Sequence, residues 1–177
     1  MISKEKVRKK AVETRDSIDE ESRQQKSEEI AKKILEADWF KEADIVLSYH
    51  AFRSEVEVDA LNRAVLTQGK KLYLPKTYVK EKQIRFFEIT DLSKLKRGYQ
   101  KIWEPTGEEP EFSFETVKEE QKKVLMIMPG TAYDARGYRM GAANGSGERM
   151  RWCWCPDWSL TVRGTGTGMA AVIMTVI

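Results

Sequence analysis

The residues of this chain that could do chemistry are few. Lys4 and Arg8 stand four apart, so a helix sets both cations on one face, where they could neutralise phosphate charge. The plainer reading is a solvated charged helix, and the spacing alone favours it. Ser54-Glu55-Val56-Glu57 supplies carboxylates that could hydrogen-bond a polar substrate. An acidic first turn of a following helix, favoured by the helix dipole, explains them equally well. His50 is the sole histidine, and with the two cysteines, Cys153 and Cys155, far away in sequence it cannot furnish a zinc site of ordinary ligand number. It either donates to a ligand or caps a strand. Gly164-Thr165-Gly166-Thr167-Gly168 superficially suggests a dinucleotide loop, but no convincing strand precedes it and no acidic residue follows. A Walker-type glycine-lysine motif is absent, and no Ser-His-Asp or Cys-His grouping can be argued.

Alternating helices and strands must position these residues. Lys4 to Arg15 reads as a basic helix with Val7 and Ala11 on one face. Ser17-Ile18-Asp19-Glu20 is a capping-box pattern opening a second helix, which runs to Glu36 with Ile30, Ala31, Ile34 and Leu35 as its apolar stripe. Ile45 to Tyr49 is a short apolar run of the kind expected in a strand covered on both faces. Val58 to Gln68 is helical with Leu61, Ala64 and Val65 inward, and Gly69 ends it. Lys71 to Pro75, Ile84 to Ile89 and Val124 to Met128 follow as strands. This order predicts a three-layer α/β domain: a mainly parallel sheet flanked by helices, incomplete at its C-terminus. Ligands of such sheets sit beyond the carboxyl ends of the strands. That gathers His50 to Glu57, Pro75 to Tyr78 and Pro129 to Gly141 at one cleft.

Composition bounds the function. The 177 residues, 41% hydrophobic and 33% charged, suit one domain with a real core. A net charge of +3 gives no broad basic field, so duplex binding has no compositional support. Basic residues of the first helices are interleaved with Glu13, Glu20, Glu21, Glu28 and Glu29, which argues against a stripe that tracks RNA phosphates. The first residues lack the apolar core of a signal peptide, and no apolar run approaches the ~18 residues that span a bilayer. Two cysteines one residue apart cannot staple a fold, so a soluble, cytoplasmic protein in a reducing compartment is expected.

Residues 4 to 141 resemble, in order, the 5-formyltetrahydrofolate cyclo-ligase (5,10-methenyltetrahydrofolate synthetase) family. The likeness lies in Lys4-xxx-Arg8 with Arg15, Ser48-Tyr49-His50, Ser54-Glu55-Val56, and Gly69-Lys70 before Leu72-Tyr73-Leu74-Pro75. It continues through Phe86-Phe87-Glu88-Ile89, Trp103-Glu104-Pro105 and the specific string Met128-Pro129-Gly130-Thr131-Ala132-Tyr133-Asp134-Ala135-Arg136-Gly137-Tyr138-Arg139-Met140-Gly141. The resemblance implies an ATP- and magnesium-dependent ring closure of 5-formyltetrahydrofolate to 5,10-methenyltetrahydrofolate, releasing ADP and phosphate. It implies that Lys4 and Arg8 contact ATP phosphates, that His50 and Glu55 line the folate site, and that Arg139, Met140 and Gly141 begin a glycine-rich ATP loop. The implied partners are these small molecules alone, bound by a monomer, with no nucleic acid or membrane.

After Gly141 the sequence departs from the family pattern. The family's loop continues as roughly Tyr-Gly-x-Gly-Tyr-Tyr-Asp-Arg, its Asp associated with the metal; here Ala142-Ala143-Asn144-Gly145-Ser146-Gly147 follows. The composition shifts at the same place. All 19 lysines lie at or before Lys123, and Trp152, Trp154, Trp158 and both cysteines fall in the last segment. Reading the third base of each codon with the first two of the next, Trp152, Cys153 and Trp154 force Val-Leu-Val. Met169 then forces Gly and Met174 forces Asp. The intervening codons permit Pro-Gly-Leu-Val-Phe-Asp, and later Gly-Tyr-Gly-Gly-Gly-Tyr-Tyr-Asp-Arg. We hypothesise that 1–141 is a cyclo-ligase-like domain truncated in its ATP loop. On this hypothesis 142–177 is an aberrant tail, the out-of-frame translation of a second, related copy of the motif, and carries no selected fold. A nucleotide sequence whose shifted frame lacks those codons disproves it.

Overall fold

The computed structural model describes residues 4–132 and the strand backbones of 161–165 and 169–174. The first helix, α1 (Lys4–Asp16), is followed by α2 (Glu20–Glu36) and the short α3 (Asp38–Lys41). Strand β1 (Ile45–Leu47) leads through a loop to α4 (Asp59–Thr67) and on to β2 (Lys71–Tyr78) and β3 (Gln83–Ile89). A two-stranded ribbon follows, β4 (Lys96–Arg97) with β5 (Trp103–Glu104), and then α5 (Phe114–Glu119) and β6 (Val124–Pro129). The last elements are β7 (Thr161–Thr165) and β8 (Met169–Met174). No described helix is long and apolar enough to cross a membrane.

The main sheet has the order β3-β2-β1-β6-β8-β7. Its central pairings, β1 with β2, β1 with β6 and β6 with β8, are parallel, while β3 and β7 add antiparallel edges. The expected mainly parallel α/β sheet is therefore present. Alternation along the strands builds a core on each face. Val46, Leu72, Leu74, Leu125 and Ile127 join Ile30, Ile34, Phe40, Leu61 and Val65 from α2, α3 and α4. Ile45, Leu47, Tyr73, Val124 and Met126 form the opposite core, covered by Phe112 and Val117. Successive strand residues point to opposite faces, so the continuous apolar run of a central strand feeds both layers.

Two local expectations change in the structure. The cap of α2 is Asp19, whose carboxylate accepts from Ser22 N at 2.8 Å, and not Ser17. Ser17 instead closes the end of α1, just past its last residue: its N–H donates to Glu13 O and its hydroxyl to Thr14 O. Pro75 to Tyr78 do not lie beyond a strand end in the cleft. They continue β2, pairing with β3 out to Tyr78↔Gln83. Pro75 falls past the last β1 pair, Leu47↔Tyr73, where β2 is flanked by β3 alone and a missing N–H is tolerated. Beyond Gly141, the backbones of β7 and β8 extend the sheet past β6. Met169–Met174 lies parallel to β6 from Val124↔Met169 to Pro129↔Met174, pairing an edge of β6 that would otherwise leave its backbone groups open.

Candidate functional site

The loop between β1 and α4 is anchored at several points. Tyr49, buried at the end of β1, donates its hydroxyl to Val56 O at 2.8 Å, closing the loop on itself. The buried Asn62 of α4 donates to Tyr49 O at 3.0 Å, and Glu57 N donates to Ser27 Oγ of α2 at 3.1 Å. Ser54 ties in the N-terminal helix: Arg15 Nε donates to Ser54 Oγ at 3.0 Å, and the Ser54 hydroxyl donates to Asp16. Arg15 is the only described side chain of α1 that is buried. Within the loop Phe52 N donates to Glu55 Oε2 at 3.1 Å, and Arg53 adopts a left-handed backbone, φ 56°. A loop held from three helices presents its side chains at fixed positions, as a binding site on a rigid scaffold requires.

His50 opens this loop and lies at the junction of two cavities. One, of about 320 Å3, is lined by His50, Asp59, Arg63, Leu92, Ser93, Leu95 and Trp103. The other, of about 400 Å3, runs between Ala51, Phe52 and Arg53 on one side and Arg97, Gln100, Lys101 and Ile102 on the other, again with His50 and Trp103. His50 Nε2 is 3.6 Å from Asp59 Oδ1, and its Nδ1 is 3.4 Å from Ala51 O. The imidazole is thereby oriented between a carboxylate and a carbonyl. At the rim, Asp91 accepts from Ser93, whose hydroxyl and N–H hold the Asp91 carboxyl below the ordinary carboxylate range.

Glu55 sits elsewhere. It lines a third cavity, of about 530 Å3, between α2 and α4, together with Arg23, Ser27, Glu28, Glu57 and Arg63. The structure thus brings His50 and Glu55 onto one loop but turns them toward different spaces. Lys4 lies in the first turn of α1, and Arg8 is exposed one turn further on. At helical spacing Lys4, Arg8, Ala11 and Arg15 share one stripe, so the Arg15–Ser54 contact sets the rotation of the stripe carrying both cations. Arg8 makes no ion pair among the described residues, and a lysine–arginine donor set suits a triphosphate. Arg139, Met140 and Gly141 lie outside the described residues. Among the described residues no group of three or more His, Cys, Asp or Glu could hold a metal ion.

The sequence reading missed Arg97, Lys101 and Asp59, and used Trp103 only as part of a motif. Charge and aromaticity marked these residues out. What their types could not show is that the β4–β5 ribbon folds back over the β1 loop.

Known proteins resemble the chain in sequence and in fold. The sequence profile of the 5-formyltetrahydrofolate cyclo-ligase family matches residues 1–161. A probable 5-formyltetrahydrofolate cyclo-ligase of Caenorhabditis elegans is 23% identical over 133 residues, 75% of this chain and 65% of that protein. A mitochondrial 5-formyltetrahydrofolate cyclo-ligase of Arabidopsis thaliana is 30% identical over 141 residues, 73% of this chain and 50% of the relative. The chain therefore spans between half and two thirds of the length of these relatives. Among solved structures, the 5,10-methenyltetrahydrofolate synthetase of Aquifex aeolicus superposes with a TM-score of 0.67 at 29% identity, covering 81% of this chain and 69% of the other. The Mycoplasma pneumoniae 5,10-methenyltetrahydrofolate synthetase shares the fold, with a TM-score of 0.58 at 15% identity over 80% of this chain and 73% of its own. With a profile match over most of its length, the chain belongs to the 5-formyltetrahydrofolate cyclo-ligase family.

Proposed function

We propose that the cleft at the carboxyl end of β1 binds 5-formyltetrahydrofolate and ATP for closure of the folate ring to 5,10-methenyltetrahydrofolate, with ADP and phosphate as the other products. The observation that carries this reading is the clasp of Arg15 and Asp16 on Ser54. It fixes a cationic helix stripe to the same loop that presents His50 to two cavities.

The chemistry explains why both binding functions are needed. A formamide oxygen leaves poorly. When ATP is bound, that oxygen attacks the γ-phosphorus, and the bond from phosphorus to the β–γ bridging oxygen breaks to release ADP. The neighbouring folate nitrogen then adds to the activated carbon, and the carbon–oxygen bond breaks with release of phosphate. For phosphoryl transfer, positioning and charge stabilisation supply most of the catalysis. Lys4 and Arg8 would hold phosphate oxygens by charge and hydrogen bonding, and magnesium would arrive on the triphosphate. His50, oriented by Asp59 and Ala51 O, would hydrogen-bond the folate, and Glu55 would contribute from the adjoining cavity. Arg139, Met140 and Gly141 would begin the phosphate loop. The reading remains that of a cytoplasmic monomer acting on small molecules.

The departure after Gly141 supports a second reading for this polypeptide: a folate- and nucleotide-binding protein that turns over weakly or not at all. The Gly-Tyr-Tyr-Asp continuation that would place backbone N–H groups and an acid at the phosphates is replaced by Ala142 to Gly147. Equilibrium binding of 5-formyltetrahydrofolate and ATP, measured beside the ATP-dependent rise in methenyl-folate absorbance, tests both. Binding with little turnover is expected. Turnover at a normal enzymatic rate refutes the truncated loop, and absence of binding to either molecule refutes the cleft assignment.

A further inference from the structure

Lys76 belongs to β2, past the last β1 pair, yet its ammonium is committed to a distant segment. Alternation along β2 sets Lys76 and Tyr78 on the same face as Leu72 and Leu74, the face packed against α2 and α4. There Lys76 Nζ donates to Pro105 O at 3.1 Å and to Thr106 O at 2.5 Å, and lies 5.9 Å from the Tyr78 ring centroid. Lys76 is half-buried and Pro105 is buried, so water replaces this donor poorly.

The segment held in this way is the exit of the β4–β5 ribbon. Trp103 and Glu104 form β5, and Pro105 and Thr106 follow directly. The next turn is closed on itself, with Glu109 accepting from Thr106 N, the Thr106 hydroxyl and Gly107 N. Gly107, at φ 89°, approaches β2 so closely that a Cβ would meet the Tyr78 hydroxyl at 2.9 Å and Lys76 Cδ at 3.2 Å. The ribbon itself is tightly bonded. Gly98 N donates to Ile102 O at 2.8 Å, Lys101 N donates to Gly98 O at 3.1 Å, and the Arg97 guanidinium lies 4.2 Å from the Trp103 ring centroid. Its attachment to the sheet therefore sets where Trp103 stands relative to His50, which lines the same two cavities.

We propose that Lys76 is a positioning residue for folate binding: by docking the Pro105 and Thr106 carbonyls on β2 it holds Trp103 across from His50 and sets the width of the cleft between them. The inference rests on the folate reading above and places no ligand on Lys76. The cationic stripe of α1 is anchored separately, by Arg15 on Ser54, so loss of Lys76 separates the two binding functions. A merely structural lysine would instead loosen the domain and weaken both ligands together.

The test compares the full chain with Lys76→Met, which keeps the aliphatic stem and removes the donors, and with Lys76→Arg, which restores them. Equilibrium binding of 5-formyltetrahydrofolate and of ATP is measured beside amide hydrogen exchange. Losing charge-assisted hydrogen bonds of this kind weakens folate binding about tenfold in Lys76→Met. ATP affinity is unchanged, and Lys76→Arg recovers most of the folate loss. The ribbon amides of Gly98, Lys101 and Ile102 exchange about tenfold faster in Lys76→Met, with or without ligand. Unchanged folate affinity, an equal loss of ATP affinity, or a defect that arginine leaves untouched overturns the proposal. A full chain that binds no folate overturns the folate reading itself. Ribbon exchange that is unchanged in Lys76→Met, in a chain that does bind folate, overturns the positioning role alone. Should circular dichroism show Lys76→Met unfolded, Gly107→Ala decides, because its methyl group lifts the turn from β2 with Lys76 in place. Weaker folate binding at constant ATP affinity then supports the proposal, and unchanged folate binding refutes it.

Discussion

Replacing Arg15 by methionine should loosen α1 and weaken ATP binding together. Arg15 is 8% exposed, whereas Val7, Ala11 and Val12 on the same helix are only half-buried, so the helix has little apolar area holding it down. Its buried anchor is the 3.0 Å bond from Arg15 Nε to Ser54 Oγ. A hydrogen bond with a charged donor contributes about 1.5–3 kcal/mol. Methionine retains most of the aliphatic packing, and Ser54 keeps its bond to Asp16, so no buried hydroxyl is orphaned. The loss therefore falls at the lower end, about 1.5–2 kcal/mol. For a chain of this size that lowers Tm by roughly 3–8 °C. Because Lys4 and Arg8 share the stripe that Arg15 orients, about 1 kcal/mol of lost phosphate contact weakens ATP binding roughly five-fold. Urea denaturation followed by far-UV circular dichroism gives the first quantity, and calorimetric titration with ATP gives the second. An unchanged midpoint with unchanged ATP affinity would refute the argument that this clasp positions the cationic helix.

Other perturbations test the fold and its titrations. Phe40→Ala removes a fully buried ring from the core beneath α2 and α4 and should cost about 3–5 kcal/mol, read as a lower urea midpoint. Gly98→Ala places a methyl group against the buried Glu104 carboxylate, whose Oε2 accepts from Tyr99 N; displacing it should destabilise the β4–β5 turn by about 1–3 kcal/mol and reduce folate affinity. Burial, then the hydrogen bond from Tyr73 to Glu88, pushes the Tyr73 phenol up to about 12. The fold favours the neutral phenol, so this contribution is intact below pH about 10 and is lost as pH rises through about 12. An ultraviolet titration of native protein against Tyr73→Phe shows whether that late transition belongs to Tyr73. Burial works against ionisation of Glu109, but its own backbone N–H, those of Thr106 and Gly107, and the Thr106 hydroxyl outweigh it and hold the carboxyl below the usual 4.5. Its stabilisation is present above pH about 4.5 and fades as pH falls through the lower value. Glu109→Gln should flatten that acid limb, and the carboxyl carbon shift in an NMR titration locates the midpoint.

What the sequence by itself determined is whatever depends on near neighbours. The spacing of Ile30, Ala31 and Ile34 specifies the buried face of α2, the apolar runs 45–47 and 124–128 specify central strands, and Gly69, at φ 71°, terminates α4. Helical and strand periodicities arise within a few residues, so a linear reading captures them. The same holds for the family motifs, which placed His50 and Glu55 on one loop. Only the tertiary structure decided that these two side chains line different cavities, that Arg15 meets Ser54 across 39 positions, and that Arg97 and Lys101 come to face Arg53. It also decided that Asp19, and not Ser17, caps α2, and that Met169–Met174 lies along β6. Each of these outcomes depends on which distant segment occupies the adjoining space. Burial and hydrogen-bond satisfaction settle that for the folded chain as a whole, and no local pattern of residue types encodes it.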